Sequence, residues 1–176
     1  MIIAAAGGAI VYYQYVAPPS TRCGVNPVHR LIFMTAIIKE IRGFNIYNAA
    51  ILNQTSSPSF STTSGANLTG VSYRNYKTDD NATIFGNLGD TITLYIKSID
   101  ANDTRQVSSA TGHGFNIEAS LTIVNGTMPN DDIRFGAWYS VTVQVSKQVS
   151  GVYRCTQFCS NQHPSMTGQF VAGCGS

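Results

Sequence analysis

Short segments of alternating apolar and polar residues fill the second half of the chain. The segments with this pattern or with a short apolar run are 91–96, 115–117, 121–123, 141–145, 149–153 and 170–171. A Gly89-Asp90 pair precedes the first of them, as expected for a turn. Alternation with a period of two predicts half-buried strands. Several short strands at close intervals predict an all-β sandwich or barrel.

The first 16 residues are uncharged and mostly apolar, and Pro18 and Pro19 end any helix formed there. The run is slightly shorter than the roughly 17–25 residues of a typical membrane span. A cleaved signal peptide usually begins with a basic segment, and this chain has none there. We therefore expect residues 1–19 to form an uncleaved N-terminal transmembrane helix, with the remaining domain on the extracytoplasmic side of the cell membrane.

Residues 20–70 are predicted as a connecting region that is partly loop. Within it, 31–38 is apolar but too short to span a membrane, so it is either a short interfacial helix or an edge strand. The stretch 53–70 is rich in Ser, Thr, Gly and Asn and is typical of a loop. The main β domain is predicted to cover residues 71–176.

Charge argues against one class of function. Charged residues make up only 11% of the chain, and the formal net charge is +2. A nucleic-acid-binding surface needs a basic stripe that neutralises phosphates. The sequence therefore predicts no nucleic-acid partner.

The four cysteines are Cys23, Cys155, Cys159 and Cys174. Two disulfides would be the common arrangement in an exported protein. The close pair 155 and 159 is better explained as a pair of metal ligands, because an imidazole and a thioether follow it. The other two cysteines lie far apart in the chain, and whether they form a disulfide stays open.

One segment concentrates soft metal ligands: Cys155, Cys159, His163 and Met166 fall within twelve residues. Sulfur with imidazole is the ligand set that copper prefers, whereas a Met ligand is foreign to zinc. A mononuclear blue-copper site needs one thiolate, and a second thiolate allows two metals to share two sulfur bridges. We therefore predict a two-copper electron-transfer centre, with a structural zinc site as the competing interpretation.

A second imidazole must then come from elsewhere in the chain. His113 is flanked by glycines, which allow the backbone to approach a site closely. His29 lies near the predicted anchor and is expected to be a surface residue instead. His113 is therefore the preferred candidate.

Two stretches, 112–118 (Gly-His-Gly-Phe-Asn-Ile-Glu) and 151–170, carry a specific resemblance. Together they resemble the CuA domain of subunit II of heme–copper cytochrome c oxidases, through the spacing Cys-X3-Cys-X3-His-X2-Met. The resemblance covers about residues 85–176 and implies a cupredoxin-like Greek-key β-barrel or sandwich that holds two copper ions. The ligands it implies are His113, Cys155, the backbone carbonyl of Gln157, Cys159, His163 and Met166.

The resemblance assigns each ligand a role. Cys155 and Cys159 would bridge both coppers, and His113 and His163 would each bind one copper. Met166 and the Gln157 carbonyl would be the weak ligands. Many relatives have Glu at the position of Gln157 and bind magnesium there, so we predict no magnesium site and a type B-like subunit.

The function implied is electron entry into a terminal oxidase. The donor would be a cytochrome c or a small blue-copper protein, and the acceptor a heme in the polytopic subunit I. Oxygen reduction would take place in subunit I, so this chain would be a non-catalytic subunit of the enzyme. The alternatives are a free-standing, membrane-tethered cupredoxin carrier and a copper-delivery protein.

Overall fold

The structure is a computed structural model that describes residues 26–52, 59–61, 65–67, 72–74, 83–99, 104–130 and 133–174. These residues form fourteen β-strands and one short 3-10 helix, His163–Ser165. The strands are β1 (His29–Ala36), β2 (Phe44–Leu52), β3 (Ser59–Ser61), β4 (Gly65–Asn67), β5 (Ser72–Arg74), β6 (Ile84–Gly86), β7 (Thr91–Ser98), β8 (Gly112–His113), β9 (Asn116–Glu118), β10 (Thr122–Asn125), β11 (Ile133–Arg134), β12 (Trp138–Gln144), β13 (Val149–Arg154) and β14 (Thr167–Ala172). The predicted all-β class is confirmed.

Two sheets make up most of this fold. The larger has six strands in the order β10-β12-β7-β1-β2-β5, and the smaller has four in the order β6-β14-β13-β9. The pairs β1–β7 and β6–β14 run parallel, and the other neighbours are antiparallel. Two small pairs, β8–β11 and β3–β4, complete the described strands.

Inward-facing residues of both sheets form one buried core. Ile92, Leu94 and Ile96 of β7 are fully buried in it, together with Val143 of β12 and Phe170 of β14. The residues between them point to the other face of each strand, as the period of two requires. The strands predicted within 91–96 and 141–145 are therefore confirmed, but β7 is buried on both faces, because Thr93 and Tyr95 are buried as well.

The segment 31–38 is neither an interfacial helix nor an edge strand. Its residues 31–36 belong to β1, which lies between β2 and β7 inside the six-stranded sheet, and 37–38 begin the turn that follows. Ile32 and Met34 join the core, but Leu31 and Phe33 on the opposite face are buried as well. A strand that is buried on both faces has a continuous apolar sequence, and such a sequence does not distinguish a strand from a helix. The sheet thus includes strands from the predicted connecting region.

β10 is an edge strand whose four residues are all exposed. The pattern at 121–123 predicted a strand there, and Thr122–Asn125 confirms its presence. Its apolar residues do not contribute to the core, since the Ile123 side chain is 44% exposed.

The predicted anchor, residues 1–19, lies outside the described residues. Within the described ranges, no helix has the length and apolar character needed to cross a membrane. Cys174 is disulfide-bonded, and Cys23, the other cysteine outside the close pair, also lies outside the described residues.

An aromatic cluster lies beside the segments that carry the candidate ligands. Phe44, Phe115 and Tyr153 contact one another with ring centroids 5.3 to 5.7 Å apart. Phe115 follows His113 by two residues, and Tyr153 precedes Cys155 by two. All three rings are fully buried. The cluster therefore fixes the backbone on both sides of the candidate site, because close-packed aromatic rings resist displacement.

Candidate metal centre

The segment 155–166 is a closed loop between β13 and β14. The N–H of Cys155 donates to the carbonyl of Met166 at 3.0 Å, which joins the two ends of the loop. Inside the loop, the His163 N–H donates to the Ser160 carbonyl at 3.1 Å, and the Met166 N–H donates to the His163 carbonyl at 2.9 Å. The loop is short and held by its own backbone, so the side chains it carries have defined positions.

Both thiols of the loop are free and buried. Cys155 is 2% exposed and Cys159 is 0% exposed. Their sulfur atoms and a ring nitrogen of His113 all lie within 4.8 Å of one another. A buried cluster of two thiols and an imidazole is a set of donors suited to a soft metal ion.

His113 is held rigidly on β8. Its side chain is fully buried, and β8 pairs with β11. A Cβ atom on Gly112 would overlap the carbonyl of Ile133, and one on Gly114 would overlap the carbonyl of Asn130. The flanking glycines are therefore required by the close approach of two backbone segments, whereas the sequence pattern predicted only a close approach of this backbone to a site.

His163 has a different setting, at the start of the 3-10 helix. Its ring is only half-buried, and its Nδ1 atom lies 4.0 Å from the Cys159 sulfur. On the other side of the cluster, the Nδ1 atom of His113 lies 3.8 Å from the Cys155 sulfur. His163 is therefore next to Cys159, while His113 is close to both thiols. The exposed ring of Phe158 packs edge-on against His163, with centroids 5.7 Å apart.

Met166 and Gln157 complete the predicted set. Met166 is fully buried in the hydrophobic core, and its backbone carbonyl accepts the hydrogen bond from the Cys155 N–H, so it lies next to the first thiol in the fold. The thiol of Cys155 donates to the Gln157 carbonyl at 3.3 Å, so this carbonyl faces the sulfur cluster. The Gln157 side chain points elsewhere, since its Nε2 donates to the Thr111 hydroxyl at 3.0 Å. The structure thus brings all six predicted residues to one region.

The surroundings of Cys159 favour its neutral thiol in the metal-free protein. The hydrogen bond with the Cys155 thiol, together with burial, raises the pKa of Cys159 to about 12. Metals bind the thiolate form, so a metal must displace protons from this site. Binding would therefore release protons and strengthen as pH rises.

His29 lies away from the site, as predicted, although it is half-buried in β1 and not on the surface. Its Nε2 is 2.7 Å from the Thr93 hydroxyl, which in turn is 2.9 Å from the Thr142 hydroxyl. Trp138, at the start of β12, lies under the Lys97 ammonium at 5.4 Å. Neither residue belongs to the candidate centre.

Sequence reasoning missed the residues that support the ligands from distant parts of the chain. Thr111 binds the Gln157 side chain. Phe135 packs edge-on against His113, with centroids 5.8 Å apart, and Glu40 accepts a hydrogen bond from the ligand loop. None of these belongs to a motif, and no local signal in the sequence points to them.

No protein-family model matches the chain, and no curated protein sequence matches it. Among solved structures, the chain is similar to a copper nitrite reductase from Nitrosomonas europaea, with 11% identity, a TM-score of 0.44 and coverage of 84% of this chain and 42% of that chain. It is also similar to reduced rusticyanin, with 12% identity, a TM-score of 0.41 and coverage of 84% and 81%. Rusticyanin from Thiobacillus ferrooxidans gives 13% identity, a TM-score of 0.37 and coverage of 81% and 75%. The chain spans less than half of the nitrite reductase chain, and similarity at this level assigns no family.

Proposed function

We propose that this chain binds two copper ions in a CuA-type centre and acts as subunit II, the electron-entry subunit, of a heme–copper oxidase. In this proposal the two-sheet sandwich is a cupredoxin fold. The observation that carries the proposal is the meeting of two buried thiols with two imidazoles: His113 lies within 4.8 Å of both sulfur atoms, and the Nδ1 atom of His163 lies 4.0 Å from the Cys159 sulfur.

The donor set fits two soft metal ions better than one. A single tetrahedral site would draw all its ligands to one point, but among the described residues the compact cluster holds His113 and both thiols without His163, which lies beside Cys159. Thiolates placed between two imidazoles can each be shared by two metals. The buried thioether of Met166 and the carbonyl of Gln157 are then available as weak ligands. Zinc sites do not use thioether ligands, so the same set argues against structural zinc.

Bound copper would supply reversible one-electron chemistry. The chain's own residues would hold the centre still and dry: Cys155, Cys159 and His113 are buried, and the closed loop limits movement. A ligand set that does not move on electron transfer keeps the reorganisation energy small. Hydrogen bonds and burial around the sulfur atoms would set the reduction potential.

The partners belong to the same proposal. A cytochrome c or a small blue-copper protein would deliver electrons on the extracytoplasmic side of the membrane. The acceptor would be a heme in subunit I, with residues 1–19 anchoring this chain in the same membrane. We propose no magnesium site at Gln157, because an amide replaces the carboxylate that binds magnesium in many relatives.

Copper stoichiometry and electron paramagnetic resonance of the full-length, oxidised chain test the proposal. Two coppers per chain and a seven-line hyperfine pattern are expected, since one unpaired electron shared by two equivalent copper nuclei gives that splitting. Cys155→Ser and Cys159→Ser should each abolish the shared signal. One copper with a four-line signal in the unaltered chain would replace the proposal with a mononuclear carrier.

A second measurement separates the oxidase subunit from the alternatives. Purification from its native membrane should yield the chain together with a heme-bearing polytopic subunit. A chain that purifies alone with firmly bound copper would be a free-standing carrier. A chain that loses its copper to a mild chelator would be a delivery protein instead.

A further inference from the structure

The turn between β1 and β2, residues 37–43, reaches across to the ligand loop. Its residue Glu40 accepts a hydrogen bond through Oε1 from the backbone N–H of Gln162, at 3.1 Å. The two residues are 122 positions apart in the sequence. This contact therefore joins the ligand loop to a turn of the six-stranded sheet.

The turn that carries Glu40 is itself firmly held. Ile38 is fully buried in the core, and its carbonyl accepts hydrogen bonds from the N–H groups of Ile41, Arg42 and Gly43 at 3.0 to 3.3 Å. The N–H of Ile37 also donates to the Gly43 carbonyl at 3.1 Å. A carboxylate on such a closed turn has a defined position and can act as a fixed support.

Glu40 is placed to stay ionised. Desolvation alone would raise its pKa, but the Gln162 N–H and the positive charge of Arg105 help to lower the pKa below its ordinary value. Hydrogen bonds to an ionised acceptor are stronger than those between neutral groups. The contact with Gln162 is therefore stronger than an ordinary loop hydrogen bond.

The supported residues lie between the second thiol and the second imidazole. Ser160 and Gln162 separate Cys159 from His163, and the His163 N–H donates to the Ser160 carbonyl. The first part of this span has other support, because the Val107 N–H donates to the Cys159 carbonyl at 3.0 Å and Gln106 forms a bridge with Ser160. Glu40 supports the second part, directly before His163.

We propose that Glu40 is a positioning residue that fixes the orientation of His163 relative to Cys159. The inference rests on the proposed copper function for its consequence at the metal. Without Glu40, the turn before His163 loses a charged anchor, while the His113 and Cys155 side keeps all of its contacts. The effect should therefore fall on one half of the centre.

The test compares Glu40→Ala and Glu40→Gln in the full-length chain. The control is Glu118→Ala, which removes the only other glutamate of the sequence, an exposed residue paired with Arg154. In the metal-free chain, amide hydrogen exchange at residues 160–163 should accelerate by about tenfold in Glu40→Ala, since one charge-assisted hydrogen bond is lost. Glu40→Gln should lie between, because its amide oxygen still accepts from Gln162. Glu118→Ala should leave these amides unchanged.

The copper-loaded proteins give the second readout. In Glu40→Ala the two coppers should become inequivalent in the hyperfine pattern, and copper should be lost to a chelator about tenfold faster, as supporting-residue changes commonly cause. Glu40→Gln should keep most of the wild-type hyperfine pattern. If Glu40→Ala fails to fold, the partial effect of Glu40→Gln still tests the role of Glu40.

The outcomes separate the two proposals. If Glu40→Ala changes neither amide exchange nor the copper signal, the role of Glu40 is refuted and the copper function stands. If the unaltered chain shows no two-copper signal but the amides of 160–163 still respond to Glu40→Ala, the copper function fails. The role of Glu40 in ordering the loop then survives.

Discussion

The two histidines beside the thiols are supplied by contrasting regions of the molecule. His113 is fully buried on β8, and both of its neighbours are glycines packed against the backbone of Asn130 and Ile133. His163 is half-buried at the start of a 3-10 helix, within a loop that is closed mainly on itself. The same chemical group is thus held by a strand in one case and by a turn in the other.

The two histidine positions therefore differ both in rigidity and in access to solvent. The strand side tolerates no added atoms, because its backbone segments already touch. The loop side leaves the His163 ring near solvent and next to the exposed Phe158 ring. We expect substitutions beside His113 to displace it by steric overlap. Substitutions beside His163 should instead make the loop less ordered, and the position of its ring stays accessible to small solutes.

The largest effect should come from Gly114→Ala. The new methyl group would overlap the Asn130 carbonyl and the Thr156 hydroxyl, so β8 and His113 must move. Overpacking of this kind lowers the free energy of unfolding by about 3 kcal/mol, and the two-copper signal should disappear. Urea unfolding and copper analysis of the same preparation measure both effects.

Gly173→Ala is the matched control for that change. Gly173 follows β14 at the end away from the ligand loop, and an added Cβ would meet only the flexible side chain of Gln148, at 3.0 Å. We expect a change below about 1 kcal/mol and full copper binding. If the two variants behaved alike, close packing beside His113 would not be the reason for its flanking glycines.

A cavity-and-rescue experiment tests accessibility directly. His113→Gly and His163→Gly should each lower copper affinity by about 100-fold or more and abolish the shared signal. Free imidazole should restore the signal in His163→Gly, because the vacated position lies near solvent. It should not restore the signal in His113→Gly, where the position is enclosed. Electron paramagnetic resonance during an imidazole titration distinguishes the variants, and equal rescue of both would contradict the proposed contrast.

Several strands and the candidate ligands could be predicted from the sequence. Alternation at 91–96 and 141–145 gave correct strands, and the glycines beside His113 indicated close backbone approach. The spacing of Cys155, Cys159, His163 and Met166 placed the ligand candidates in one loop, where the structure also has them. These features are local, so they leave a local pattern.

The features that the sequence did not predict depend on contacts between residues that are far apart in the chain. β1 is buried on both faces, so its apolar run carried no period that could distinguish an inner strand from an interfacial helix. Glu40 is 122 residues from its partner Gln162, and Thr111 is 46 residues from Gln157. A single Glu or Thr in a turn is an ordinary residue, and only the folded chain shows what it supports.

Thr111→Val should produce a moderate effect that links the two sides. It removes the hydrogen bond from the Gln157 side chain to a residue near His113, while the Gln157 carbonyl keeps its place in the loop. We expect the free energy of unfolding to fall by about 1 kcal/mol, with two coppers still bound. Thr122→Val, on the exposed edge strand β10, is the isosteric control. Equal unfolding midpoints for the two variants would show that this contact contributes nothing.

The smallest effect is expected at His29. This histidine lies outside the candidate centre and is a reference for His113 and His163. Burial lowers the pKa of His29 below its ordinary value of 6.5. The unfolded chain therefore takes up a proton at this residue before the folded chain does, so its contribution to stability is present above about pH 6.5 and is lost as pH falls further. His29→Gln removes this titration. The difference in unfolding free energy between the wild type and His29→Gln, both metal-free, should shrink from about pH 7.5 to about pH 5. A constant difference across that range would mean that His29 does not titrate differently on folding.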